Sequence, residues 1–148
     1  GLAGWSAAAA HALLDDHDTA RPSGEGTGGD GGFGEVTAQL LGYVYILTHP
    51  PFPWVFLPHL DGANGPEIRR LLAVRRAAKV SPRDRLRVLA ARRGLYAAVV
   101  GAEDDCKGKL AVRMGDESAW APCGLGWQQA AAGAGWAVWH RGAEGTVV

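Results

Sequence analysis

Apolar residues along the chain follow two different periods, and the change falls near Ser81. From Glu35 to Thr48, the residues Val36, Leu40, Val44 and Leu47 recur three or four apart, which predicts a helix with one apolar face. Prolines at 50, 51 and 53 end it. The run WVFL, Trp54 to Leu57, is short, apolar and rich in β-formers, and predicts a buried strand. The loop PHLDGANG then leads into a second helix. Asn64 or Gly65 can cap it, Pro66 suits its first position, and Glu67 suits the positive end of the helix dipole. Ile68, Leu71 and Leu72 give it an apolar face to about Lys79.

Beyond Ser81 the pattern shortens to strand-like runs. LRVLAA, GLYAAVV, KLAVRM, GWQQAA and WAVWH are separated by Gly, Asp or Pro turns, and GAEDDCKGK reads as a hairpin connection. They predict an antiparallel sheet of about five strands. The opening segment SAAAAHALLDD stays ambiguous: alanine favours helix, while a short apolar run meeting charges suits a buried strand. The Gly-rich stretch Arg21 to Glu35 is too flexible to pack by itself, and it lacks the Gly-Lys-Ser/Thr of a phosphate loop. Strand, helix, strand, helix and then a block of strands predict an α/β plus all-β fold. Residues 1–80 would be the last two β/α units of a TIM-type (β/α)8 barrel, and residues 81–148 a small antiparallel β-sheet domain. Two such units cannot close a barrel.

Composition narrows the partners. With 47% apolar residues, 20% charged residues and zero net charge over 148 residues, the chain reads as a folded domain with no bias toward a polyanion. Ten of the fifteen Lys and Arg residues lie between Arg69 and Arg93. They interrupt a helix with an apolar face and alternate with Leu86 and Val88, so a solvated surface explains them better than nucleic-acid binding. No apolar run approaches the roughly 18 residues of a membrane span. The start at Gly1 suggests a fragment or processed product, which leaves the compartment unread. Cys106 and Cys123 have no metal-ligand spacing, and either one disulfide or two buried thiols would satisfy them.

One stretch concentrates chemistry. LLDDHDT, Leu13 to Thr19, ends an apolar run in three aspartates and a histidine. Taken alone it suits a solvated turn, since charges normally sit outside. A hard cation would need more oxygen ligands than this run supplies. Trp136 and Trp139 are three apart and cannot share a face of a regular strand, so at least one belongs to the core. Trp120, in a loop-like stretch before Pro122, is the better candidate for an exposed sugar-stacking platform. His11, His49, His59 and His140 show no constellation, and structural roles are the default.

DDHDT, GYVYILTHPPFPWVF, GPEIRRLLAVRR, KLAVRMG and WAVWH, in that order, resemble the plant-type α-amylases. These are glycoside hydrolases with an eightfold β/α barrel and a C-terminal antiparallel domain. The resemblance runs from about Gly4-Trp5 to Arg141 and favours a strand for the alanine-rich segment. It implies that Leu13-Leu14 ends the seventh barrel strand, that Trp54 to Leu57 forms the eighth, and that the C-terminal sheet begins near Leu86. The last Asp of the family's Asn-His-Asp motif maps onto Asp18, a transition-state stabiliser, and the histidine onto His17, which binds a substrate hydroxyl. Asp16 replaces the family's asparagine, and Pro58 its aspartate before His59. A tyrosine and a histidine that form a surface sugar site in plant relatives align with Ser118 and Ala132. The resemblance further implies starch or another α-glucan as partner and Ca2+ as cofactor, with its ligands outside this chain. The nucleophile and acid motifs belong to earlier strands, so this stretch by itself is not expected to hydrolyse starch.

Overall fold

A computed structural model describes residues 6–18, 36–102, 104 and 106–141. The glycine-rich stretch 21–35 and the Gly4-Trp5 pair lie outside the described residues. A 3-10 turn, Ala7–Ala9, opens the described chain and leads into β1, His11–Ala12. Helix α1, Val36–Thr48, returns the chain to β2, Phe52–Pro53, which pairs parallel to β1. The register is His11 to Phe52 and Ala12 to Pro53, extended by the amides of Phe52 and Trp54 donating to the carbonyls of Ala10 and Ala12. A parallel pair joined through a helix is a β-α-β unit, since parallel strands need a long crossover.

The expected strand over Trp54 to Leu57 is not there. Pairing stops at Pro53, and a short helix, α2, spans Leu57–Asp61. Pro58 stands in its first turn, where a fixed φ and a missing N–H suit a helix start. That local preference overrides the β-propensity of the run, and Trp54 and Leu57 remain exposed. The strand at the opening is likewise shorter than expected. Only His11 and Ala12 pair, and Leu14 instead leans on α1 at Gly42, where a side chain on the helix would collide with it.

Helix α3 runs Gly65–Ala77. Asn64 precedes it but does not cap it with its side chain. Its buried amide instead donates to the Val36 carbonyl and the Gln39 side chain, tying the start of α3 to the start of α1. At the other end Lys79 takes the left-handed conformation (φ 51°), which lets the amides of Lys79 and Val80 close on the carbonyls of Arg76 and Arg75.

Five strands follow: β3 Leu86–Arg92, β4 Leu95–Val100, β5 Leu110–Met114, β6 Trp127–Gly133 and β7 Trp136–Arg141. They form one antiparallel sheet in the order β3-β4-β5-β7-β6. This is the expected five-stranded block. Gly115, with φ 111°, lets the turn after β5 pass against the backbone of Gly94, an approach no Cβ could share.

The sheet buries residues on both faces. On one, Ala98, Val100, Leu110, Val112, Trp136 and Val138 pack with Tyr43, Val44 and Leu47 of α1 and Ile68, Leu71 and Val74 of α3. On the other, Val99, Ala111, Ala137 and Trp139 form a smaller cluster with Leu89, Trp120 and Trp127. Trp136 and Trp139 thus point to opposite faces, as their spacing requires, and both are buried. A disulfide joins Cys106, in the β4–β5 hairpin, to Cys123, in the segment before β6. The guanidinium of Arg141 lies 4.9 Å above the Trp127 ring and donates to the Cys106 carbonyl beside that bridge.

Candidate active-site turn

The turn after β1 sorts its four polar residues by depth. Asp15 is buried, Asp16 is intermediate, and the side chains of His17 and Asp18 are 87% and 80% exposed. Asp16 Oδ1 accepts the backbone N–H of Asp18 at 3.0 Å, an Asx-type turn that turns the chain outward. An asparagine could accept the same bond through its amide oxygen, so the Asp16 substitution keeps the turn chemistry and adds a charge. His17 Nε2 lies 3.5 Å from Asp18 Oδ1. A carboxylate and an imidazole held side by side in solvent can accept from and donate to neighbouring hydroxyls of one ligand.

Beneath this pair is a buried polar chain. Asp15 Oδ2 lies 3.6 Å from His59 Nε2, an electrostatic contact longer than a hydrogen bond. His59 Nδ1 is 2.8 Å from the Tyr43 hydroxyl, which accepts the Phe56 N–H at 3.3 Å. Burial pushes the His59 imidazole below its ordinary pKa, and the Asp15 charge opposes that shift. Burial likewise raises the Tyr43 hydroxyl, the Phe56 amide opposes it and the Asp15 charge adds to it. The three side chains come from the turn after β1, from α1 and from α2. Sequence reasoning left His59 and Tyr43 outside the site, because they stand 44 and 28 positions from Asp15 and no short spacing signals the meeting.

Trp120 lies elsewhere. It follows β5 on the sheet face away from the helices, partly buried, with its ring edge-to-face on Trp139 at 5.8 Å. The structure therefore does not bring Trp120 to the His17–Asp18 turn. Ser118 and Ala132 are both exposed and carry no ring.

Among the described residues, no three His, Cys, Asp or Glu side chains come close enough to hold a metal ion. No helix among the described residues is long and apolar enough to cross a membrane.

Comparison with known proteins gives these features a setting. The family described as the alpha-amylase C-terminal beta-sheet domain matches residues 77–140, from the last residue of α3 through the five-stranded sheet as far as His140. Probable alpha-amylase 2 of Arabidopsis thaliana is 35% identical over 95% of this chain, which covers 32% of that protein. Alpha-amylase 3, chloroplastic, of the same plant is 30% identical over 95% of this chain and 14% of its own length. The alpha-amylase type B isozyme of Hordeum vulgare is 32% identical over 95% of this chain and 85% of the other sequence. The chain thus spans about a third or less of the two Arabidopsis relatives and most of the Hordeum sequence. The chain belongs to the plant-type α-amylase family and corresponds to its C-terminal portion.

Proposed function

We propose that this chain is the C-terminal part of an enzyme that cuts internal α-1,4-glucosidic bonds of starch or glycogen with retention of configuration. Residues 1–80 would supply the last two β/α units of its barrel, and residues 81–148 the appended sheet domain. One observation carries the reading: His17 and Asp18 project into solvent from the turn that follows the C-terminal end of β1, a strand paired in parallel with β2. In a β/α barrel that end of a strand is where catalytic groups stand.

In this reading Asp18 acts as the third carboxylate. It accepts hydroxyl hydrogen bonds from the sugar beside the reacting carbon, and those bonds strengthen as the ring flattens toward the oxocarbenium-like transition state. His17 donates to a hydroxyl of the same sugar. Residues outside this stretch supply the nucleophile and the general acid, so activity belongs to the full-length enzyme. Replacing Asp18 by asparagine there should lower starch hydrolysis by orders of magnitude without changing the circular dichroism. A rate equal to the unsubstituted enzyme would remove Asp18 from the mechanism.

A second reading, glucan binding without catalysis, draws on Trp120, whose partly exposed ring is braced by Trp139. Retention on insoluble starch should then fall in Trp120→Ala. Retention of the unsubstituted protein on a column without glucan equal to its retention on starch would dispose of this version.

A further inference from the structure

We propose that Asp15 is a positioning residue, which acts through His59 and Tyr43 to hold the turn that presents His17 and Asp18. The proposal rests on the reading in which Asp18 touches the sugar. Three observations carry it. A carboxylate side chain only 4% exposed is costly unless something answers its charge, and among the described residues His59 Nε2 faces it. The hydrogen bonds and the facing carboxylate also favour one protonation of that imidazole. The Phe56 N–H donates to the Tyr43 oxygen, so the Tyr43 hydroxyl is free to donate to His59 Nδ1, which leaves the imidazole proton on Nε2, toward Asp15. The hydrogen bonds run from the Phe56 amide through Tyr43 to His59, and the last step to the carboxylate is the 3.6 Å electrostatic contact.

The third observation is place. Leu14 is wedged on α1 at Gly42 and Asp15 on His59, so both residues entering the turn are anchored from inside. Asp16 closes the turn onto the Asp18 amide, and the next two side chains stand in solvent. In the run LLDDHD after Leu13, two residues thus anchor the turn, one closes it and two face the solvent. Three residues span at most about 10 Å, so a displaced Asp15 moves Asp18 directly.

The test uses the full-length enzyme with Asp15→Asn, His59→Gln, the double variant and Asp18→Asn. A misplacement of about 1 Å can cost roughly 100-fold. Asp15→Asn and His59→Gln should each lower kcat by about that factor with KM changed less than about threefold, and the double variant should be no slower than the slower single one, because both break one chain. Hydrogen exchange of the peptide covering residues 13–18 should quicken in both while the β-sheet peptides keep their protection. If Asp15→Asn fails to fold, His59→Gln carries the same kinetic and exchange readouts. An unchanged kcat in His59→Gln, multiplying losses in the double variant, or unchanged exchange over 13–18 would overturn the proposal. Full activity in Asp18→Asn would defeat the functional reading instead, and the exchange measurement would still decide whether Asp15 holds the turn.

Discussion

His49 Nε2 and the Tyr96 hydroxyl sit 2.5 Å apart, joining the C-terminal end of α1 to strand β4 of the sheet. The other ring nitrogen, Nδ1, donates to the Tyr45 carbonyl at 2.6 Å, so Nε2 is left to accept from Tyr96. The imidazole also stacks on the Tyr45 ring at 3.9 Å. It is held neutral: burial lowers its pKa to about 4, with the Tyr45 carbonyl opposing and Arg75 adding to the fall.

That shift sets an acid limit. An unfolded histidine binds its proton near pH 6.5, whereas the folded one resists until about pH 4. Between those values the unfolded state holds more protons, so stability falls as pH falls, by up to about 3 kcal/mol at the bottom of the window. Urea unfolding at pH 7 and at pH 4.5 should show the loss. His49→Gln should be less stable at pH 7 but should lose less on acidification.

Arg75 gives the second prediction. Its buried guanidinium donates from Nη1 to the carbonyls of Leu47 and His49 and from Nη2 to those of Pro50 and Pro51. These close the end of α1 and the proline turn that follows, where Pro50 and Pro51 supply no N–H. Arg75→Ala would strand several buried carbonyls, and a loss of about 3 kcal/mol or more in urea unfolding is expected. Arg75→Lys should recover little, because an ammonium cannot fork to four acceptors in one plane.

The disulfide provides a third. Cys106 and Cys123 close a loop with a sequence separation of 17, for which chain-entropy arguments give about 3 kcal/mol. Replacing both by serine should lower the thermal midpoint, with hydrogen exchange rising first between Gly115 and Gly126.

A fourth is small but of opposite sign. Lys79 is the described non-glycine residue with positive φ, and Lys79→Gly should relieve that conformation. The relieved strain, about 1–2 kcal/mol, outweighs the roughly 0.5–1 kcal/mol that glycine's unfolded-state freedom costs, so a net gain on the order of 0.5 kcal/mol in urea unfolding is expected.

The sheet was legible because alternation and turns repeat in short order. KLAVRM and WAVWH alternate sides, and glycines mark the turns between runs. Helices α1 and α3 were legible to within a residue or two for the same local reason. WVFL misled because its apolar composition matches a strand, while Pro58, one residue past the run, starts a helix instead. Asn64 was readable as a cap from its type, but its amide is spent on α1, a partner 25 and 28 positions away. Asp15, His59 and Tyr43 show the same limit more sharply. Each looks ordinary in its own segment, and only the fold brings them together. The cysteines were silent on pairing, because a separation of 17 suits a bridge and two thiols equally.

The central claim is that Asp18 favours the transition state over the bound substrate. The most direct measurement compares two affinities in the full-length enzyme, with and without Asp18→Asn: one for an oxocarbenium-like glycosyl inhibitor and one for a maltooligosaccharide. Differential binding predicts a loss of about 100-fold or more for the inhibitor and only a few-fold for the oligosaccharide. Equal losses for both ligands, or none for either, would contradict the claim.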